Sequence, residues 1–284
     1  MSKLQLSFHA NLALKKEDIL RILKAANEEK GMNDTPENLV QRTGLGSPKV
    51  TAFKTLSIRS GLVDKKTGKL KPQGQIVLAH DPHLESPVTD WLMHFYLSFG
   101  DYGLSTPPED AAEWGGWTWF IYSFLPTHPS FIYTNLAIAA CNIYETEKKK
   151  AKNIGEDISY MLNAYTKKEA LAKINFLISP TKDQFTTQES NIPNDHLFAY
   201  FLTQIWQRDF GISTSTSADN ILDHPFGLAP LLNISRDCLQ DYLDRLSGFG
   251  IIEQYRTVPP FQVISRWHDP LQLLEKAYES DRSH

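Results

Sequence analysis

The side chains best placed to do chemistry in this sequence are cations. Between Arg42 and Lys71 the chain carries Arg42, Lys49, Lys54, Arg59, Lys65, Lys66, Lys69 and Lys71 against a single acid, Asp64. Basic groups gathered on a helix and an adjoining turn suit phosphate oxygens, and a groove-facing helix with a basic wing has this composition. At helical spacing Val50, Phe53 and Leu56 fall on one side, with Thr51, Lys54, Thr55 and Ile58 on the other. The expected division of labour puts Lys49, Lys54, Arg59 and the turn lysines Lys65, Lys66, Lys69 and Lys71 on phosphates. Thr51, Thr55 and Lys54 would approach base edges. The competing use of the same residues is the solvated surface of a protein-docking module.

Other constellations are weaker. His80, Asp81, His83 and Glu85 place two imidazoles three residues apart, which would share an ion only if the loop turned back. Histidines around an Asp-Pro break more often serve as surface or cap residues, so neither metal nor cofactor is expected. Glu109, Asp110 and Glu113 read as a solvated helix start rather than an acid/base pair. Trp114, Trp117 and Trp119 lie among apolar residues with no basic groups between them, which favours buried packing over base stacking. Lys148, Lys149, Lys150 and Lys152 read as a solvated turn with phosphate contact as the alternative. The chain has no glycine-rich phosphate loop, GxSxG, HExxH or CxxC, which argues against the common enzyme classes.

The elements that must position the basic residues follow from turn and cap chemistry. Ser47 is the expected cap of a helix that takes Pro48 in its first turn and runs to about Ser60, where Gly61 supplies a left-handed exit. Leu62 and Val63 would then pair with Lys69, Leu70 and Lys71 across the turn Asp64 to Gly68, completing a winged helix. Support helices are expected around Ile19 to Leu23 and from Asn33 to Thr43, followed by a helix from Pro72 to His80. Ser86 and Pro87 restart a helix with Val88, Trp91, Leu92, Phe95 and Phe99 inward.

Further helices are expected over Pro129 to Tyr144, Gly155 to Tyr165, His196 to Phe210 and Asp269 to Tyr278. The polar run Thr186 to Asp195 suggests a domain joint, and Gly211 to Asp219 a flexible connection. A further wing-like pattern follows: a helix from Ser235 with Leu239, Tyr242, Leu243 and Leu246 inward, then strands at Ile251 to Arg256 and Phe261 to Ser265. Its helix exposes Asp237, Asp241 and Asp244 against Arg236 and Arg245, so it would repel phosphate and is expected to meet protein. The expected architecture is mainly α, a multi-module helical protein with winged helix-turn-helix domains and small β-wings. Its modules are an N-terminal winged helix over 1–84, a helical middle with a helix-turn-helix-like pair over 85–185 and a winged-helix-like module over 186–284.

At 284 residues the chain can bury a real core. A net charge of -4 excludes a protein that coats nucleic acid by bulk electrostatics, so contact with double-stranded DNA would be local. Cys141 and Cys238 read as buried reduced thiols, and no run reaches the length of a bilayer span, so a cytoplasmic protein without membrane contact is expected. From Pro72 to Thr118 there is no Lys or Arg; Asp81, Glu85, Asp90, Asp101, Glu109, Asp110 and Glu113 read as a solvated acidic surface.

The stretch Ser60 to Ser98 resembles a prokaryotic family, domain of unknown function 4007. The matching positions are Leu70, Pro72 and Gly74, then Asp81, Pro82, Leu84 and Glu85, then Trp91, Leu92 and His94; Lys71 and Gln73 depart from the family's turn. The resemblance extends to Ser7 to Lys16, to Glu147 to Tyr165 and to the closing His268 to Glu279. It implies gene sets for DNA phosphorothioate modification and defence, beside sulfur-transfer enzymes related to phosphoadenosine phosphosulfate reductase. The implied role is an accessory DNA-associated factor, with protein partners of such a complex. An adaptor without DNA contact, or a winged-helix transcriptional regulator, would present the same residues.

Overall fold

Helix boundaries follow local chemistry. In the computed structural model, which describes residues 12–99, 114–144 and 151–281, the side chains of Thr35, Ser86, Asn194 and Ser235 each accept a backbone N–H in the first turn of a helix. These open α2 (Pro36–Thr43), α5 (Pro87–Leu97), α9 (Asp195–Asp209) and α12 (Arg236–Gly248). The described residues are mostly helical and divide into two units, one ending at Gln188 and one beginning at Glu189.

The first unit begins with α1 (Lys16–Asn27), α2 and α3 (Ser47–Arg59), which pack on one another, and continues through α4 (Pro72–His80) into α5. After these come α6 (Gly116–Trp119), which widens into a π-type turn through Phe124, then β1 (Ser130–Ile132), α7 (Tyr133–Tyr144), α8 (Ala151–Thr166), β2 (Leu177–Thr181) and β3 (Gln184–Thr187). The three strands form an antiparallel sheet in the order β1-β3-β2, and Phe131 faces Phe185 with ring centroids 5.5 Å apart. Pro129 to Tyr144 is therefore a strand and a helix, not the single helix expected. Phe131 is buried between two exposed neighbours, an alternation that suits a strand.

At the centre of this unit α5 is buried at every position from Val88 to Leu97. Such a helix must satisfy its polar groups inside. Lys16 Nζ donates to both oxygens of Asp90 at 2.8 and 3.0 Å, tying α1 to α5. His94 Nδ1 lies 2.7 Å from Tyr165 Oη on α8, and Tyr165 Oη also accepts from the Trp117 indole at 2.7 Å. Asp81 accepts from the amides of Glu85 and Ser86 and from the Thr89 hydroxyl. Asp81 and Asp90 are thus internal, which corrects the expected solvated acidic surface; Glu85 is exposed, and Asp101, Glu109, Asp110 and Glu113 lie outside the described residues.

In the second unit α9 packs against α12 and α13 (Pro270–Asp281), with the Phe198 ring stacked on Tyr242 at 4.3 Å. The expected inward residues Leu239, Tyr242, Leu243 and Leu246 are buried. Strands β5 (Ile252–Tyr255) and β6 (Gln262–Ser265) form the hairpin read from sequence, and β4 (Ser215–Ser217) pairs with β6 in the order β4-β6-β5. The segment Gly211 to Asp219 is accordingly no flexible connection: it supplies a strand and the start of α10 (Ala218–Leu222), which precedes α11 (Leu228–Leu232). Short Ser/Thr runs carry little periodicity, and pairing with a distant strand decides them.

Desolvation outweighs the attraction of Lys16 and pushes the Asp90 carboxyl up to about 6. Because this lies above the ordinary value of 3.8, the folded chain holds the proton more tightly than the unfolded chain. The resulting stability is present below about pH 4 and is lost as pH rises through about 6. Between those limits wild type should lose about 3 kcal/mol relative to Asp90→Asn, read from urea denaturation across pH. Parallel profiles for the two proteins would show an Asp90 that titrates normally.

Candidate nucleic-acid interface

Helix α3 is held by one apolar side. Val50, Phe53 and Leu56 are buried as their spacing requires, together with Ala52 and Ser57. The helix starts one residue earlier than expected: Gly46 is the cap, Ser47 the first helical residue and Pro48 the second, and no side chain caps the end. The Thr51 hydroxyl instead donates to Ser47 O at 3.3 Å. Gly61 has φ +75°, and a Cβ there would stand 2.5 Å from the Tyr96 ring, so both backbone and space demand glycine.

The hairpin that follows is small. A single bridge joins Val63 to Leu70, flanked by Asp64 N to Lys69 O at 2.8 Å and Lys71 N to Leu62 O at 2.9 Å. The two strands expected from sequence are therefore reduced to one pair of residues. Asp64 binds its own turn: its Oδ1 accepts from Lys66 N, Thr67 N and the Thr67 hydroxyl, and these bonds, the Thr67 amide foremost, hold the carboxyl below its usual range. The hairpin's one acid thus organises the turn that presents the lysines.

In space the basic surface is narrower than in sequence. Lys65, Lys66 and Lys69 are exposed on the hairpin, with Lys71 half-buried at its base. Thr51 is exposed on α3, and Thr55, Ile58 and Arg59 are half-buried there; the Thr55 hydroxyl donates to Thr51 O. Two candidate phosphate ligands already have partners. Lys49 Nζ lies 3.1 Å from Asp18 Oδ2, and Lys54 Nζ donates to Met32 O at 2.8 Å. Arg42 is wholly structural, spanning Glu28, Asp34, Gly31 O and Ala25 O. Sequence spacing could not show these uses, because each partner comes from the preceding helices and turns.

The remaining candidates separate in the same way. Trp114, Trp117 and Trp119 are buried, so they offer no stacking platform. Asp81 is engaged by the Glu85 and Ser86 amides and the Thr89 hydroxyl, and among the described residues no three His, Cys, Asp or Glu side chains gather as a metal site. Asp237 and Asp241 are exposed on α12, whereas Asp244 is bound by Arg256, Gln240 and Gln254. Lys148, Lys149 and Lys150 lie outside the described residues; Lys152 is exposed on α8.

Gly61 makes the geometry testable without touching a lysine. Gly61→Ala should cost about 2–4 kcal/mol, since it combines a left-handed backbone with a clash against Tyr96, and the urea midpoint should fall accordingly. An unchanged midpoint would mean that the α3–hairpin joint is looser than described.

Solved structures with this fold cover nearly the whole chain. The magnesium ion-bound SspB crystal structure superposes with a TM-score of 0.71 at 14% identity, covering 99% of this chain and 90% of that one. The SspB crystal structure gives 0.71 at 13%, with 99% and 91% covered. At such identity the likeness is one of fold. No curated protein matches the chain. The model of the family described as protein of unknown function, DUF4007, matches residues 9–278, and the chain belongs to that family.

Proposed function

We propose that α1, α2, α3 and the basic hairpin act as a winged-helix module that holds double-stranded DNA for a prokaryotic phosphorothioate modification or defence system. The observation that carries this reading is the exposed set Lys65, Lys66 and Lys69, on a hairpin whose one acid is bonded by the turn's own amides and hydroxyl. The hairpin lysines, with Lys71, meet phosphates; Thr51 and Thr55 stand nearest the bases. Lys49, Lys54 and Arg59 have the weaker claim, the first two because their ammonium groups are engaged within the fold. The link to phosphorothioation rests on the family resemblance. A cytoplasmic setting accords with the reading, and no helix among the described residues is long and apolar enough to cross a membrane.

The role is binding rather than catalysis. The reading rests on the absence from the sequence of a glycine-rich phosphate loop, GxSxG, HExxH or CxxC. Supercoiled plasmid incubated with the protein and magnesium should stay supercoiled, and nicked or linear product would replace this part of the reading.

The second unit supports a protein-binding role beside the first. Asp237 and Asp241 on α12 are exposed, and so are Phe249, Tyr255, Val258 and Phe261. Exposed acids disfavour DNA, and exposed large apolar side chains suit a protein partner.

The deciding measurement is binding to matched plain and phosphorothioate duplexes across a salt titration. Lys65→Ala/Lys66→Ala should weaken binding about tenfold or more near 0.1 M salt and lower the salt slope by about 2. Equal affinity and slope for wild type and variant would remove the hairpin from the interface. Absence of any binding at low salt would leave the protein-adaptor role.

A further inference from the structure

We infer that the turn between α1 and α2 forms the second limb of the nucleic-acid surface, with Lys30 as a backbone-phosphate contact that acts independently of base sequence. The inference rests on the DNA-binding reading above and goes beyond it, because nothing in the spacing of residues 42–71 points to residue 30.

Four ties fix this turn to the module. Met32 N donates to Gly68 O at 2.7 Å, and Asn33 Nδ2 donates to Lys66 O at 3.0 Å, both reaching the hairpin tip. Lys54 Nζ holds Met32 O from α3, and Arg42 Nη1 holds Gly31 O from α2 at 2.8 Å. Gly31 packs so closely that a Cβ would stand 2.7 Å from Gly68 O and 3.1 Å from the Lys69 stem, and its φ is +57°. Lys30 therefore leaves the backbone one residue from a direct contact with a hairpin lysine, on a turn with little freedom to move away.

Charge bookkeeping along the turn singles out the same residue. Glu28 is paired with Arg42 at 2.8 Å. Asp34 is bound by Asn38, the Thr35 amide and Arg42; these bonds, the Asn38 amide first, keep its carboxyl low, with the Lys30 charge contributing. Arg42 thus binds both acids with a single charge, Asp34 also feels the Lys30 charge, and Lys30 is exposed beside the exposed acid Glu29. Lys30 is exposed as Lys65, Lys66 and Lys69 are, on a turn bonded to the hairpin that carries them. Ammonium groups read charge and backbone, not bases, and the side-chain amide at this joint, Asn33, commits its Nδ2 to Lys66 O. Glu29 offsets part of the attraction.

The test uses the full chain and two short plain DNA duplexes of unrelated sequence. Lys30→Ala should lower affinity several-fold on both and reduce the slope of log K against log salt by about 0.9. Glu29→Gln should raise affinity on both, with the gain disappearing at high salt. If Lys65→Ala/Lys66→Ala weakens binding while Lys30→Ala and Glu29→Gln match wild type, the inference fails and the hairpin reading stands. A loss of affinity on Lys30→Ala that differed by more than about tenfold between the duplexes would overturn sequence independence. Failure of wild type to bind either duplex at low salt would overturn both.

Discussion

One constraint governs the first unit: α5 is buried on all sides yet carries a carboxylate and an imidazole. Asp90 has no contact with solvent, and its charge is met by Lys16 from the first turn of α1. His94 is met by Tyr165, which Trp117 also binds. A buried ion pair contributes little net stability, because desolvating two charges consumes most of the Coulomb gain, but removing Lys16 would leave an ionised Asp90 stranded at a cost of about 3–5 kcal/mol. The pair therefore acts chiefly as a specification. It fixes where the tri-helical module meets the central helix, and the module's outer face is set from there.

The same logic, partners found inside before any ligand arrives, shapes the basic surface. A cation within reach of a carboxylate or carbonyl is engaged by its own fold, as Lys49, Lys54 and Arg42 are. Those that protrude from the hairpin have no such partner nearby in the backbone's reach and remain exposed. The fold thus converts a diffuse run of charge into a compact one. The inward bonds of Lys54 and Arg42 also brace the turn that carries Lys30, so structural cations support the exposed ones.

Charge is distributed unevenly along the chain. Residues 1–71 hold fourteen Lys and Arg against seven Asp and Glu, whereas residues 189–284 hold seven against thirteen. At physiological salt such fields decay within about 8 Å, so each unit acts on what touches it. A near-neutral total thus conceals a locally basic module and a locally acidic one. The overall figure of -4 describes neither.

Local chemistry by itself determined the helices whose ends carry caps, prolines or glycine: α4 from Pro72, α5 from Ser86, α12 from Ser235, and the left-handed exit at Gly61. It also determined the inward side of α3, because burial follows the 3.6-residue period whatever lies opposite. Tertiary structure decided the rest. The strands at Ser130–Ile132, Leu177–Thr181 and Ser215–Ser217 are short and owe their form to partners far along the chain. Whether an acid is solvated or internal depended on what packs above it, which is why Asp81 and Asp90 escaped a reading by charge runs. Which lysines stay exposed was decided in the same way, since a long side chain pairs with whatever the fold brings within reach, and sequence spacing records none of those distances.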